Sequence, residues 1–208
     1  MSFASKERER LAVLLIESGP DAPTLNEGWD TADLAAHLYL REHKPLAAAG
    51  MFLPPLEGAL GRETKKIKAR PYTDVVRAWA AGPPALLRPF DAVMNTAENF
   101  LHHEDVRRGA GEVRPRDFSA ATNRELLRLA ARFAKMTLKS APAPVILTPP
   151  NNPPVTVGDK AGVAERGDAV LRVSGEPGEL LLWVSGRDAA EVELHGAVEA
   201  FRNFDRSL

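Results

Sequence analysis

The sequence contains no cysteine among its 208 residues, which excludes disulfide bonds, thiolate metal sites and cysteine nucleophiles. No hydrophobic run approaches the ~18 residues that a membrane-spanning helix needs. An excess of one charge is also missing, because 27 Lys and Arg face 28 Asp and Glu, and this balance argues against a polyanion-binding protein. The charged residues 5–10 do not resemble a signal peptide. We therefore expect a cytoplasmic protein that contacts neither membrane nor nucleic acid.

The prolines that are present divide the chain. Six of them lie between residues 141 and 154, and proline cannot continue a helix or a central strand. We therefore predict a helical domain over residues 1–140, a stiff proline-rich linker over 141–154 and a small α+β domain over 155–208. The predicted fold class is α+β.

Apolar spacing predicts the elements within these parts. A three-to-four-residue period indicates four principal helices that form a bundle with a long crossover. The crossover is residues 51–70, where prolines and glycines favour a long connection with at most a short helix. In the second part, residues 170–174 and 190–196 alternate as strands do. Residues 179–184 fit either a buried strand or a short helix, because periodicity alone does not separate the two.

One group of side chains has the spacing of metal ligands. Glu98 and His102 stand four residues apart on one helix face, and His37 lies on another predicted helix among apolar residues. Two imidazoles and one carboxylate suit zinc, iron or nickel and leave coordination positions open. Taken alone, a Glu-x-x-x-His pair is more often a surface ion pair. Asp33, one turn before His37, and Asp105, three residues after His102, are candidates to orient the two imidazoles.

The remaining histidines and the basic run fit simpler interpretations. We expect His43 to be exposed near the end of its helix, and His195 alternates within a strand-like segment. His103 is expected to face solvent or to pair with Arg107, so none of these three is a ligand candidate. Residues 62–70 are rich in Lys and Arg, and we expect them to form a solvated surface loop.

Two motifs and the C-terminal part resemble a known family. Residues 29–38, with the pattern Trp-x3-Asp-Leu-x2-His-Leu, resemble the first-ligand helix of the mycothiol-dependent maleylpyruvate isomerase N-terminal family, which belongs to the DinB-like superfamily. Residues 98–105 resemble its second metal motif, and residues 175–187 resemble the small sterol-carrier-like domain that follows. The chain as a whole is most similar to an actinobacterial subgroup described only as metal-binding.

This resemblance implies a fold, a cofactor and a ligand set. The fold is an N-terminal DinB-like four-helix bundle followed by a sterol-carrier-like α+β domain. The cofactor is a divalent metal, zinc first with nickel or iron as alternatives, held by His37, Glu98 and His102.

The resemblance also implies a function. A metal-dependent transferase or isomerase would use a small thiol such as mycothiol, which must come from outside because the chain has no cysteine. The expected partners are this thiol and a small anionic substrate, with Trp183 and Arg187 as candidate substrate-binding residues, in a monomer or homodimer. A metal-dependent hydrolase and a non-catalytic metal-binding regulatory or interaction protein remain the alternatives.

Overall fold

A computed structural model describes residues 2–111, 114–158 and 169–206. These residues form eight α-helices and a four-stranded sheet, so the predicted α+β class is confirmed. The chain divides into two compact units, Met1–Val113 and Arg114–Leu208, which we call the helical unit and the sheet unit. Among the described residues, no helix combines the length and apolar character needed to cross a membrane.

The described residues of the helical unit form six α-helices around one core. They are α1 Phe3–Ser18, α2 Thr31–His43, α3 Pro45–Ala48, α4 Glu57–Lys68, α5 Tyr72–Ala80 and α6 Asp91–Gly109. The Asp30 side chain caps the start of helix α2, where it accepts a hydrogen bond of 2.7 Å from the Asp33 amide. The core consists of apolar side chains spaced along α1, α2 and α5, including Leu11, Leu15, Leu34, Leu38, Val76 and Trp79.

Helix α4 corrects the prediction of a long connection over residues 51–70. Pro54 and Pro55 lie in a short 3₁₀ turn before the helix, and Gly58 and Gly61 lie within it. Exposed helical glycines cost only about 1 kcal/mol each, and the buried side chain of Ile67 packs in the core. The basic run is therefore largely helical and is not a loop.

The described residues of the sheet unit form helix α7, four strands and helix α8. Their bounds are α7 Ala120–Thr137, β1 Val145–Thr148, β2 Val155–Val157, β3 Leu171–Ser174, α8 Pro177–Val184 and β4 Glu193–Gly196. The strand order is β2-β1-β3-β4. The β1–β3 pair is parallel, with Val145 opposite Leu171, and the two outer pairs are antiparallel. A 3₁₀ turn at Val198–Phe201 follows β4.

The division between the units differs from the predicted one. Helix α7 lies within the sheet unit, where it packs against α8, and the Thr137 hydroxyl donates a 2.8 Å hydrogen bond to the Val184 carbonyl. The predicted linker over 141–154 contains strand β1, because its prolines flank Val145–Thr148 and do not interrupt it. Of the predicted 155–208 domain, residues 159–168 and 207–208 lie outside the described residues.

The apolar segment that fits either a strand or a helix is helix α8. Pro177 occupies its first turn, a position where proline's missing N–H is not needed. Every residue of α8 is buried, including Glu179, whose carboxylate accepts a 2.8 Å hydrogen bond from the Glu191 amide. The helix ends before Gly186, whose φ of 82° favours glycine.

Candidate metal centre

The structure brings His37, Glu98 and His102 together between α2 and α6. Each side chain offers one ligand atom, and these atoms all lie within 4.8 Å of one another. The Glu98 Oε2 atom is 3.2 Å from His102 Nε2 and 3.9 Å from His37 Nε2. Among the residues that the structure describes, no other group of three His, Asp or Glu side chains meets the same geometry.

These distances fit a tetrahedral zinc-class ion. Ligand atoms at 2.0–2.1 Å from zinc stand about 3.3 Å apart in a tetrahedral site. The Glu98–His102 separation of 3.2 Å is close to this value, whereas the His37–Glu98 separation of 3.9 Å is longer. The His37 and His102 rings meet edge to face at 5.1 Å between centroids. The donors are two nitrogens and one oxygen, a set that leaves coordination positions for an external ligand.

Asp105 holds the imidazole of His102 in place. His102 Nδ1 donates a 2.9 Å hydrogen bond to Asp105 Oδ2, which leaves Nε2 directed at Glu98. Asn26, in the loop before α2, donates its side-chain amide to the same carboxylate oxygen at 3.2 Å. The loop approaches α6 so closely that a Cβ atom at Gly109 would lie 2.1 Å from the Pro23 carbonyl oxygen. Glycine at this position therefore allows the loop to reach Asp105.

The three ligand candidates have different pKa shifts. Burial lowers the pKa of the His102 imidazole, but hydrogen bonding to Asp105 and Glu98 outweighs it and raises this pKa to about 9. Burial raises the pKa of the Glu98 carboxyl, but the neighbouring imidazoles and Arg41 hold it well below its usual value. Burial also lowers the pKa of His37, and here it outweighs the nearby Glu98. At neutral pH, His102 therefore carries the proton that a metal ion would displace.

Asp33 does not contact His37 and instead forms an ion pair with a residue of α4. Its Oδ1 accepts a 2.6 Å hydrogen bond from Lys68 Nζ, and its backbone amide is bound to Asp30. The expectation that Asp33 orients His37 is therefore wrong. The side chain reaches α4, which lies where the sequence predicts a long connection with at most a short helix.

Two further side chains lie at the rim of the site. The indole of Trp29 is 37% exposed and packs against His37 with 5.1 Å between ring centroids. The guanidinium of Arg41 lies one helical turn beyond His37 on α2, with Nη1 3.4 Å from Glu98 Oε2. Sequence reasoning missed Arg41, although its spacing of four residues from His37 places it on the same helix face.

The other histidines lie elsewhere. His103 is buried and donates Nδ1 to Glu7 Oε2 on α1 at 2.9 Å, so the expectation of a solvent-facing residue is wrong. His43 stacks on Tyr39 near the end of α2. His195 is exposed on β4, 3.6 Å from Glu193.

Trp183 and Arg187 both lie in the sheet unit. The Trp183 ring is 5% exposed and is covered by the Arg206 guanidinium at 4.6 Å. It packs as a core residue of its unit, and its role in substrate binding stays a prediction. Arg187 follows α8 and donates Nη1 to the Ser185 carbonyl at 2.7 Å. Its role in substrate binding stays a prediction.

The sheet unit also has an open groove of about 670 Å³. It lies at the carboxyl ends of the parallel strands β1 and β3, where Thr148 and Ser174 contribute to its wall. Glu191 and Glu193 also line it. Within the part of the chain that the structure describes, none of the candidate ligand, orienting or substrate-binding residues lines this groove.

Comparison with models of known protein families, with curated proteins and with solved structures finds no match for this chain. The resemblance to the mycothiol-dependent maleylpyruvate isomerase family therefore rests on the sequence motifs alone.

Proposed function

We propose that the helical unit binds one divalent metal ion through His37, Glu98 and His102 and is the metal-binding part of an enzyme. The observation that carries this proposal is the convergence of the three ligand atoms within 4.8 Å of one another. A nitrogen-rich donor set without thiolate favours zinc, with nickel or iron as alternatives.

The surroundings of the three ligands support a catalytic role over a closed structural site. Three protein ligands leave coordination positions open, as catalytic zinc sites do. The side chains of Glu98 and Arg41 are 27% and 23% exposed, so an external molecule has access to this edge of the site. When bound, an ion of this class lowers the pKa of a coordinated water or thiol and creates a nucleophile at neutral pH.

The chain's own residues would orient the ligands and provide the charge that the ion needs. Asp105 and Asn26 fix the orientation of His102, and Glu98 supplies the negative charge. Displacement of the His102 proton would be part of ion binding, because this imidazole has a raised pKa.

The reaction that we propose is group transfer or isomerisation with a small external thiol such as mycothiol, acting on a small anionic substrate. The support is the motif resemblance together with the lack of cysteine, which requires that any thiol come from outside. In the same proposal, the helical unit is a DinB-like bundle and the sheet unit corresponds to a sterol-carrier-like domain. Hydrolysis by a metal-bound hydroxide and metal binding without catalysis are the alternatives.

The test is metal analysis of the full chain purified without a histidine tag, followed by titration. We expect about one zinc per chain and a Kd below about 1 µM, which corresponds to about 8 kcal/mol. Absence of stoichiometric metal would contradict the proposal. Calorimetric titration of the zinc-loaded protein with mycothiol and with glutathione then separates the reactions. No binding of either thiol at millimolar concentration would favour the hydrolase or the non-catalytic alternative.

A further inference from the structure

Arg41 is held beside the candidate metal centre by only one of its donor groups. Its Nη1 lies 3.3 Å from Asn95 Oδ1 and 3.4 Å from Glu98 Oε2. Within residues 2–111, 114–158 and 169–206, no hydrogen-bond partner is found for Nε or Nη2. A guanidinium carries five donors in a planar fork, so most of its binding capacity remains available.

The neighbouring acidic groups are already committed. Asn95 donates its amide to Asp91 Oδ1 at 2.8 Å, which directs its carbonyl oxygen towards Arg41. Asp91 is in turn paired with Arg8 at 2.7 Å. Arg8 also binds Glu42 with both terminal nitrogens, at 3.0 and 2.8 Å. Glu98 is therefore the acidic group that Arg41 contacts, and it is also a ligand candidate.

The net charge around Arg41 changes when Glu98 is a ligand of a metal ion. The two positive charges of the ion balance the carboxylates of Glu98 and Asp105 if both imidazoles are neutral. Arg41 then adds a positive charge that these groups do not compensate. A 23% exposed guanidinium at the edge of an open coordination sphere attracts an anion, and the planar fork matches a carboxylate.

We propose that Arg41 binds the carboxylate of a small external ligand that also occupies the open side of the metal centre. This inference rests on the proposed function, because it requires the ion held by His37, Glu98 and His102. It assigns the anion-binding role within the helical unit to Arg41 and makes small carboxylates the ligand class. The exposed face of Trp29, beside His37, would contact an apolar part of the same ligand.

Titrations of the full-length protein with acetate and with its neutral analogue acetamide test this inference. Zinc affinity is measured first by calorimetry without either probe. The visible spectrum of the cobalt-loaded protein then reports each probe at the metal. We expect acetate to bind at least about tenfold more tightly than acetamide. We also expect Arg41→Ala to weaken acetate binding about tenfold, with zinc affinity unchanged within about threefold.

Two further variants complete the design. Arg107→Ala is the matched control, because Arg107 is also 23% exposed and pairs with a glutamate of α6. We expect it to leave zinc and acetate binding unchanged. Arg41→Lys keeps the charge without the planar fork and should weaken acetate binding about threefold. This variant carries the test if Arg41→Ala does not fold, which circular dichroism would show.

The outcomes separate this inference from the proposed function. Zinc binding with equal acetate affinity in the wild type and the folded Arg41 variants would overturn the role of Arg41 alone. Acetate binding no tighter than that of acetamide would overturn the carboxylate class. Loss of stoichiometric zinc binding in the wild-type protein would overturn the proposed function and this inference together.

Discussion

His102 and His103 are neighbours on α6, and their Nδ1 atoms have the same kind of hydrogen-bond partner. Each donates Nδ1 over 2.9 Å to a fully buried carboxylate, Asp105 for His102 and Glu7 for His103. The two rings point in directions about 100° apart around the helix, so His102 faces α2 and His103 contacts α1. At His102 the other nitrogen meets Glu98 and lies near His37. A buried imidazole–carboxylate pair is therefore not a metal site by itself, since what matters is the convergence of further ligands.

Replacement of each histidine by alanine gives the largest expected difference. His102→Ala removes one of three ligands, and we expect zinc affinity to fall more than about 100-fold, beyond the 10–100-fold typical of losing an orienting partner. His103→Ala should leave zinc affinity unchanged within about threefold. It should still lower the free energy of unfolding by roughly 2 kcal/mol, because Glu7 loses a buried partner. Calorimetry and urea denaturation measure the two effects, and equal affinity losses would remove the distinction between the histidines.

Replacement of the two carboxylates tests the orienting contact. Asp105→Asn keeps the shape of the side chain but removes the charge that holds the His102 imidazole, so zinc affinity should fall about 10–100-fold. Glu7→Gln makes the same chemical change next to His103 and should alter zinc affinity less than about twofold. The comparison uses zinc titrations at one pH. A loss of similar size in Glu7→Gln would point to a general effect on the packing of α6.

Between pH 7 and 9, zinc affinity should change by about tenfold per pH unit. His102 has a pKa raised to about 9, whereas His37 has a lowered pKa and is neutral at pH 7. Zinc binding should therefore release one proton between pH 7 and 9, and affinity should rise with pH over this range and level off above it. Calorimetry in buffers of different ionisation enthalpy counts the proton. Release of no proton at pH 7 would show that His102 is already neutral.

The same shift predicts the pH dependence of stability without metal. Because the folded-state pKa of His102 lies above the value of about 6.5 expected in the unfolded chain, its contribution is fully present below pH 6.5. That contribution is lost as pH rises through about 9. Urea denaturation of the metal-free protein at pH 6 and pH 9.5 measures the loss, and His102→Ala should abolish this part of the pH dependence.

Removal of the ion pair between Asp33 and Lys68 should have the smallest effect on zinc affinity and on the free energy of unfolding. Asp33→Asn should change zinc affinity less than about twofold, because Asp33 contacts Lys68 and not His37. Both side chains are partly exposed, so the pair contributes less than about 1 kcal/mol. Burial raises the pKa of Asp33, but the bond to Lys68 outweighs this and lowers it. The contribution is therefore present above about pH 3.8 and is lost as the pH falls through the lowered pKa, which denaturation at pH 7 and pH 3 can measure. A tenfold loss of zinc affinity in Asp33→Asn would restore its predicted orienting role.

Local patterns along the chain determined most helices and the candidate ligand group. The Asp30 cap, the apolar period and the breaks after residues 18 and 80 depend on neighbouring residues, so they can be read without a fold. The spacing of Glu98 and His102 is fixed by the helix itself. The sequence places His37 on a second predicted helix and the motif resemblance supports its grouping with them, but only the structure brings the three ligand atoms together.

Tertiary packing decided the remaining features. The short apolar strand β1 lies between prolines and is recognisable only by its pairing with β3, and α7 belongs to the unit whose helix α8 it packs against. The partners of His103, Asp33 and Arg41 lie 96, 35 and 54 residues away in the chain. The physical reason is that a side chain's neighbours across a helix interface depend on which faces the core brings together. The local apolar period of a helix does not specify which face packs against which neighbour. The spacing of side chains along one helix, in contrast, follows from helix geometry alone.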